Sequence, residues 1–264
     1  MCIKKIAGVF RAISGSPHPK NFTSAIIAAA GLSERFGGAT TKQMTKLCDA
    51  PVLLHTLRAY EKTDCIHEIV IVAKRNEIAY WETLCRDHNI SKVTKIVPGG
   101  MSRQESVLNG LEALHAKSKF VAIADGARCL ITPEEITAVC QAAYKYKAAT
   151  AAHRATDTVK IADKKGFIDS TVDRDTVWLA QTPQVFSTKL YRAAAYTALK
   201  KEIAVTDDNS LVENIRHPIR LVECGAENLK ITTHEDLTVA EAILRRRMAD
   251  SDAVIMDIRN EVYQ

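Results

Sequence analysis

Short apolar runs rich in β-branched residues alternate along this chain with longer segments of helical period, and that alternation limits the fold more than any other feature. Runs at 24–29, 68–73, 93–97, 120–124 and 148–152 read as strands. The segments 52–63, 77–88, 103–116 and 134–146 between them read as helices. Helix starts carry their own signals. Ser102-x-x-Glu105 and Thr132-Pro133-x-Glu135 have capping-box spacing, the second with proline at the first helical position, and Thr233-x-x-Asp236 opens a later helix. Strands joined through helices pair in parallel, with the helices covering the sheet. The spacing therefore predicts an α/β fold: a doubly wound, mostly parallel, Rossmann-like sheet.

The alternation breaks after residue 154. Segments 158–162 and 167–172 are short alternating runs around a turn at Lys164-Lys165-Gly166, which predicts a β-hairpin arm inserted at about 155–176. Helices at 189–200 and 209–215 and strands at 219–223 and 229–232 follow, then a helix closed by Arg245-Arg246-Arg247. Val254, Ile255, Ile258 and Val262 imply one more amphipathic helix. The chain thus divides into a basic N-terminal extension at 1–22, a single domain at 23–247 and a C-terminal helical extension at 248–264. In the first extension Ile3, Ile6, Phe10 and Ile13 share a helical face, as in a basic targeting segment. The reading preferred here is a disordered or surface-packed terminus.

Composition narrows the partners. Of 264 residues, 36 are Lys or Arg and 31 Asp or Glu, a net charge of +5. That excess is too weak and dispersed for nucleic acid but suits an anionic small substrate. No apolar stretch approaches the ~20 residues of a membrane span. Seven cysteines at wide spacings, with no C-x-x-C, argue against a zinc ribbon or a disulfide framework and for a reducing, cytoplasmic compartment.

In an open parallel sheet, ligands bind beyond the carboxyl ends of the strands. After the first strand come Ala29-Ala30-Gly31, Arg35, Gly37-Gly38 and Lys42. After the third come Gly99-Gly100, Arg103 and Ser106; after the fourth, Asp125-Gly126-Ala127-Arg128. Lys230 ends a further candidate strand. Singly, these are also a capped turn, a loop ion pair and a solvated lysine. Together they supply glycine, cations and one carboxylate, the inventory for a nucleoside triphosphate with Mg²⁺. The chain has no P-loop, G-x-G-x-x-G, H-E-x-x-H or G-x-S-x-G, and His55 and His153 read as core residues. A site without an evident general base suits a nucleophile that is already anionic, such as a phosphate monoester.

Over residues 24–245 the chain resembles the 2-C-methyl-D-erythritol 4-phosphate cytidylyltransferases. The likeness rests on Ala29-Ala30-Gly31-x-x-x-Arg35 with Lys42-Gln43, Gly99-Gly100-x-x-Arg103-x-x-Ser106-Val107 and Asp125-x-Ala127-Arg128. It continues through Asp157-Thr158-Val159-Lys160, Thr171-Val172-Asp173-Arg174 with Trp178, and Gln181-Thr182-Pro183-Gln184-x-Phe186. Thr206-Asp207-Asp208 and Asn228-Leu229-Lys230-Ile231-Thr232 complete it.

The resemblance implies CTP and a polyol phosphate as substrates, with Mg²⁺ on Asp125. It implies that Ala29, Ala30, Gly31, Gly99, Gly100, Arg103 and Ser106 hold the nucleotide. Arg35 and Lys42 would stabilise the transition state, while Arg174 and Lys230 position the acceptor phosphate with Arg128, Thr158, Thr182 and Thr206. It also implies a homodimer in which the hairpin brings Arg174 and Thr158 to the partner's site. The chain departs from the usual family residues at Ser33-Glu34, Thr41, Ala124, Gly126 and Cys129. The readings weighed against this one are a transferase for another polyol phosphate, such as ribitol 5-phosphate, and a nucleotide-binding regulatory protein without turnover. Thr171-Val172-Asp173-Arg174 with Trp178 favours methylerythritol phosphate, and the retention of Arg35 and Lys42 favours turnover.

Overall fold

The structure, a computed structural model, describes residues 20–31, 36 and 41–262, with side chains to 250. The expectations for residues 1–19, for Ser33-Glu34 and for Arg35 lie outside the described residues. In chain order the elements are β1 (Thr23–Ala28), the short β2 (Lys46–Leu47) and β3 (Ala50–Pro51), α1 (Val52–Lys62), β4 (Glu68–Ala73), α2 (Ile78–Asp87) and β5 (Val93–Pro98). Next come α3 (Arg103–Ala113), β6 (Phe120–Asp125), α4 (Pro133–Tyr146) and β7 (Ala148–Arg154). The hairpin β8 (Lys160–Ala162) and β9 (Ile168–Thr171) precedes β10 (Trp178–Ser187), α5 (Thr188–Lys200), α6 (Asp208–Asn214), β11 (Arg220–Glu223) and α7 (His234–Val262).

Seven strands form one sheet in the order β11-β7-β10-β6-β1-β4-β5. β1 lies between β6 and β4, parallel to both, and β4–β5 and β11–β7 are also parallel. β10 runs antiparallel between β6 and β7, so the sheet is mostly parallel. Side chains alternate across it. Ala25, Ile27, Ile69 and Ile71 pack with α1, α2 and α4 on one face, while Ile26, Val70, Val72 and Ile123 pack with α3, α5 and α6 on the other. Burial on both faces is why these strands are written as continuous apolar runs. A third cluster, of Phe36, Leu47, Val52, Leu130, Ile231 and Ala240, joins the β2–β3 turn to the start of α7. No helix among the described residues is long and apolar enough to cross a membrane.

Three expectations need correction. Residues 229–232 are not a strand; Ile231 N–H donates to Ala127 O at 2.9 Å, with no ladder around that bond. The C-terminal segment is one helix of 29 residues, not two, because no glycine or proline interrupts it. Its arginines hold the domain instead of ending the helix: Arg246 and Arg247 clasp Glu227 at 2.6 and 2.9 Å, and Arg247 also donates to Leu130 O. The third concerns β10, absent from the expected strands because Pro183 and three polar residues interrupt its apolar pattern. The sheet absorbs the proline with a register shift between Ala180 and Gln184.

The contact between α3 and the sheet depends on the lack of a side chain at Gly110. A Cβ there would stand 2.7 Å from Ile26 Cγ2 and 2.9 Å from Val72 Cγ2, both on buried strand residues. Gly110→Val is expected to destabilise the fold by about 2–3 kcal/mol through overpacking, read as a lower urea midpoint at unchanged m-value.

Candidate active site

The carboxyl ends of β1, β5 and β6 open into one cleft of about 620 Å³. Ala30, Gly31, Lys42, Gly100, Arg103, Ser106 and Asp125 line it together with Lys230. Phe36, Gln43, Met101 and Thr232 contribute as well. The first loop approaches the second so closely that a Cβ on Gly99 would lie 2.3 Å from Ala30 Cβ; where the second loop enters α3, one on Gly100 would lie 2.3 Å from Glu105 Cγ. Glycine is therefore required at both positions by space.

The second loop is braced from the start of α3. Ser102 Oγ accepts from Glu105 N–H at 3.0 Å, as its capping spacing predicts. Glu105 does not return the bond to Ser102; its carboxylate takes Met101 N–H at 2.7 Å. Ser106 Oγ accepts Gly100 N–H at 3.0 Å. Two backbone donors of this loop are thus committed to holding its shape. Thr132 and Glu135, by contrast, form the complete box at the start of α4.

Asp125 ends β6 and is 9% exposed. Its backbone N–H donates to Thr182 Oγ1 at 3.0 Å. Lys230 Nζ lies 2.9 Å from the carboxylate, and the Nε atoms of Arg103 and Arg128 lie 3.6 and 3.7 Å from it. Burial alone would raise this carboxyl, but Lys230 and Arg103, with Arg128, hold it below the ordinary range. Arg128 is anchored by a 2.7 Å bond to Asn228 O. Arg103 is anchored by Asp208 at 2.7 Å, and Tyr191 OH donates to the other Asp208 oxygen. Burial pushes the Asp208 carboxyl up, and Arg103 and Tyr191 oppose that shift.

The cleft brings together most of the residues expected of a nucleotide site. Ala29 and Gly99 lie beneath its lining, their N–H groups donating to Val72 O and Ala73 O. Thr182 sits under Asp125. Thr158, Arg174 and Thr206 are exposed and outside the lining; Arg174 bonds Thr156 O at 3.0 Å. Ala124 and Cys129 are buried, and burial pushes the Cys129 thiol up to about 12, so both are packing positions. Sequence reading missed Tyr191 and the role of Asp208, since neither carries a local signal for a contact made across the fold. Phe36, whose ring lies 4.3 Å from that of His234 and tilted 33° to it, was missed for the same reason.

The arrangement can neutralise a polyphosphate and present one carboxylate to a metal. Among the described residues no group of three metal-ligating side chains exists, so a cation here would draw its remaining oxygens from phosphate and water.

The profile of the 2-C-methyl-D-erythritol 4-phosphate cytidylyltransferase family matches residues 23–246. The enzyme of that name from Pelotomaculum thermopropionicum is 45% identical over 225 residues, covering 85% of this chain and 94% of its own. That from Desulforamulus reducens is 40% identical over 228 residues, covering 84% and 96%. The crystal structure of 4-diphosphocytidyl-2C-methyl-D-erythritol synthase from Anaerococcus prevotii superposes with a TM-score of 0.77 at 32% identity, covering 85% of this chain and 96% of that one.

The depressed carboxyl of Asp125 has a consequence for stability. Its contribution is present above the ordinary carboxylate value of 3.8 and is lost as pH falls through the lower folded-state value. Asp125→Asn is expected to be less stable than the parent at pH 7, with the difference closing towards pH 3. Urea midpoints across that range measure it, and a constant difference refutes it.

Proposed function

The chain belongs to the 2-C-methyl-D-erythritol 4-phosphate cytidylyltransferase family, and we propose that it transfers the cytidylyl group of CTP to 2-C-methyl-D-erythritol 4-phosphate. A phosphate oxygen of the acceptor bonds to the α-phosphorus of CTP. The bond from that phosphorus to the bridging oxygen breaks, and pyrophosphate departs in line. The products are 4-diphosphocytidyl-2-C-methyl-D-erythritol and pyrophosphate. The observation that carries this reading is the single carboxylate, Asp125, ringed by Lys230, Arg103 and Arg128 at the end of a central strand.

The nucleophile needs no base, so the work of the protein is placement and charge. Lys42 and Arg35 act on the non-bridging oxygens as negative charge builds there. Ala29, Ala30, Gly31, Gly99, Gly100, Arg103 and Ser106 hold the nucleotide. Lys230 and Arg128 face the acceptor phosphate from the Asp125 side, and Thr182 and Thr206 bound its approach. A lone buried carboxylate fits Mg²⁺, which when bound would offset triphosphate charge.

Residues 23–247 form the catalytic unit in this reading, and 1–22 and 248–264 are extensions. The working form is a homodimer. Ile161, Phe167 and Ile168 on the hairpin are 47%, 70% and 67% exposed, an apolar surface that a second copy would cover. Arg174 and Thr158 then complete the partner's site. The six described cysteines are free thiols, which supports a reducing cytoplasmic setting.

Incubation with CTP, Mg²⁺ and each polyol phosphate in turn tests the reaction. Pyrophosphate is expected with methylerythritol phosphate, and preferential turnover of ribitol 5-phosphate would overturn the substrate. Lys42→Ala and Arg35→Ala are each expected to lower kcat about a hundredfold, close to 3 kcal/mol, with little change in stability. A change in KM alone would assign them to ground-state binding.

Mixing subunits tests the composite site. Arg174→Ala and Lys42→Ala should be nearly inactive singly. Co-refolded in equal amounts, they should recover roughly a quarter of parental activity, because half the dimers each carry one intact site. No recovery, or a monomer by light scattering, refutes the shared site.

A further inference from the structure

One buried charge beside the cleft has no part in the chemistry above. Asp208 opens α6 and is 1% exposed. One carboxylate oxygen accepts the Tyr191 hydroxyl at 2.5 Å, and the other lies 2.7 Å from Arg103 Nη1. Its backbone N–H and that of Asn209 both donate to Gln184 Oε1 at 3.0 Å. The carboxylate is thereby fixed from α5, from β10 and by its own backbone. A buried ion pair of this kind contributes little to stability, because desolvation offsets much of the attraction. What it does supply is a fixed place for the guanidinium.

The distances around Asp125 show what that place achieves. Only Lys230 closes to hydrogen-bonding range, at 2.9 Å, while both arginines stand off at 3.6 and 3.7 Å. Guanidinium and carboxylate favour a close, two-pronged pairing, so the stand-off needs a competing anchor for each arginine. For Arg128 it is the carbonyl of Asn228; for Arg103 it is Asp208.

We propose that Asp208, backed by the Tyr191 hydroxyl, is a positioning residue that holds Arg103 off Asp125. It keeps that carboxylate open to a divalent cation and the guanidinium turned towards the nucleotide. The inference rests on the reading of Asp125 as the carboxylate that meets the cation. With Asp208 neutral, Arg103 closes on Asp125 and competes with the metal.

Calorimetric titration of CTP, at limiting and at excess Mg²⁺, tests this on the parent, Asp208→Asn, Asp208→Glu and Tyr191→Phe. Asp208→Asn is expected to bind CTP about tenfold more weakly at limiting Mg²⁺ and to recover most of that loss at excess, since the metal then outcompetes the arginine. Tyr191→Phe should shift the same way by about threefold, and Asp208→Glu should stay closer to the parent than the asparagine variant. In steady-state assays the effect should fall on the KM for CTP and the Mg²⁺ midpoint more than on kcat at saturation. A loss that excess Mg²⁺ leaves unchanged while circular dichroism matches the parent overturns the proposal, as does unchanged affinity in both variants. Should Asp208→Asn not fold, Tyr191→Phe, which lacks only a hydroxyl, decides. A parent protein that binds CTP equally with and without Mg²⁺ refutes the reading of Asp125 itself, and this inference with it.

Discussion

A carboxylate buried at the end of the central strand β6 governs the arrangement around it. Burial penalises the ionised form of Asp125, and the charge persists because Lys230, Arg103 and Arg128 surround it. Those cations come from three separate segments: the start of α3, the loop after β6 and the segment before α7. None of the three could be gathered by local sequence preference. They converge because β1, β5, β6 and β11 run the same way and finish at one end of the sheet, each crossover helix carrying the chain back so that the next parallel strand arrives there again.

The sheet makes this precise by being rigid. Apolar side chains fill both of its faces, so the strand ends are placed by a close-packed interior. The loops add little of their own and borrow position. Gly99 has room only as glycine because Ala30 sits against it, and the Gly100 and Met101 N–H groups are tied to the first turn of α3. Phe36 is buried in one cluster with Leu47 and Ile231 and lies against the ring of His234, which ties this residue to the start of α7.

Much of this was legible in the residues. The parallel strands show as unbroken apolar runs because they are covered on both faces, and the helix starts show because capping is local chemistry. The glycines, Asp125 and Arg103 could be named because strand ends are where such folds bind ligands, whereas Lys230 is reached in the sequence only through a strand at 229–232 that does not form. What was hidden depends on distance along the chain. β10 looks broken by Pro183 until its neighbours on both sides are known. Tyr191 is written as one more apolar position of an amphipathic helix, and only the fold brings its hydroxyl to Asp208. The single helix α7 shows in the sequence as two because the Arg245-Arg246-Arg247 cluster resembles a helix end, whereas Glu227 lies outside the helix to receive Arg246 and Arg247.

The contrast between the tethered arginines and the lysine bears on how one carboxylate can serve an empty and a filled site. Removing Arg103 from its place strands Asp208, and removing Arg128 strands the Asn228 carbonyl, each a buried group whose loss of a partner costs about 1–3 kcal/mol or more. Lys230 carries a compact ammonium on a flexible stem, more than a third exposed, and meets Asp125 with a single contact. Of the three cations it is the one that can leave the carboxylate without breaking a buried bond elsewhere. In the proposed reaction the Lys230 contact is therefore the one open to exchange, while Arg103 and Arg128 are held by the scaffold in the positions from which they would meet phosphate.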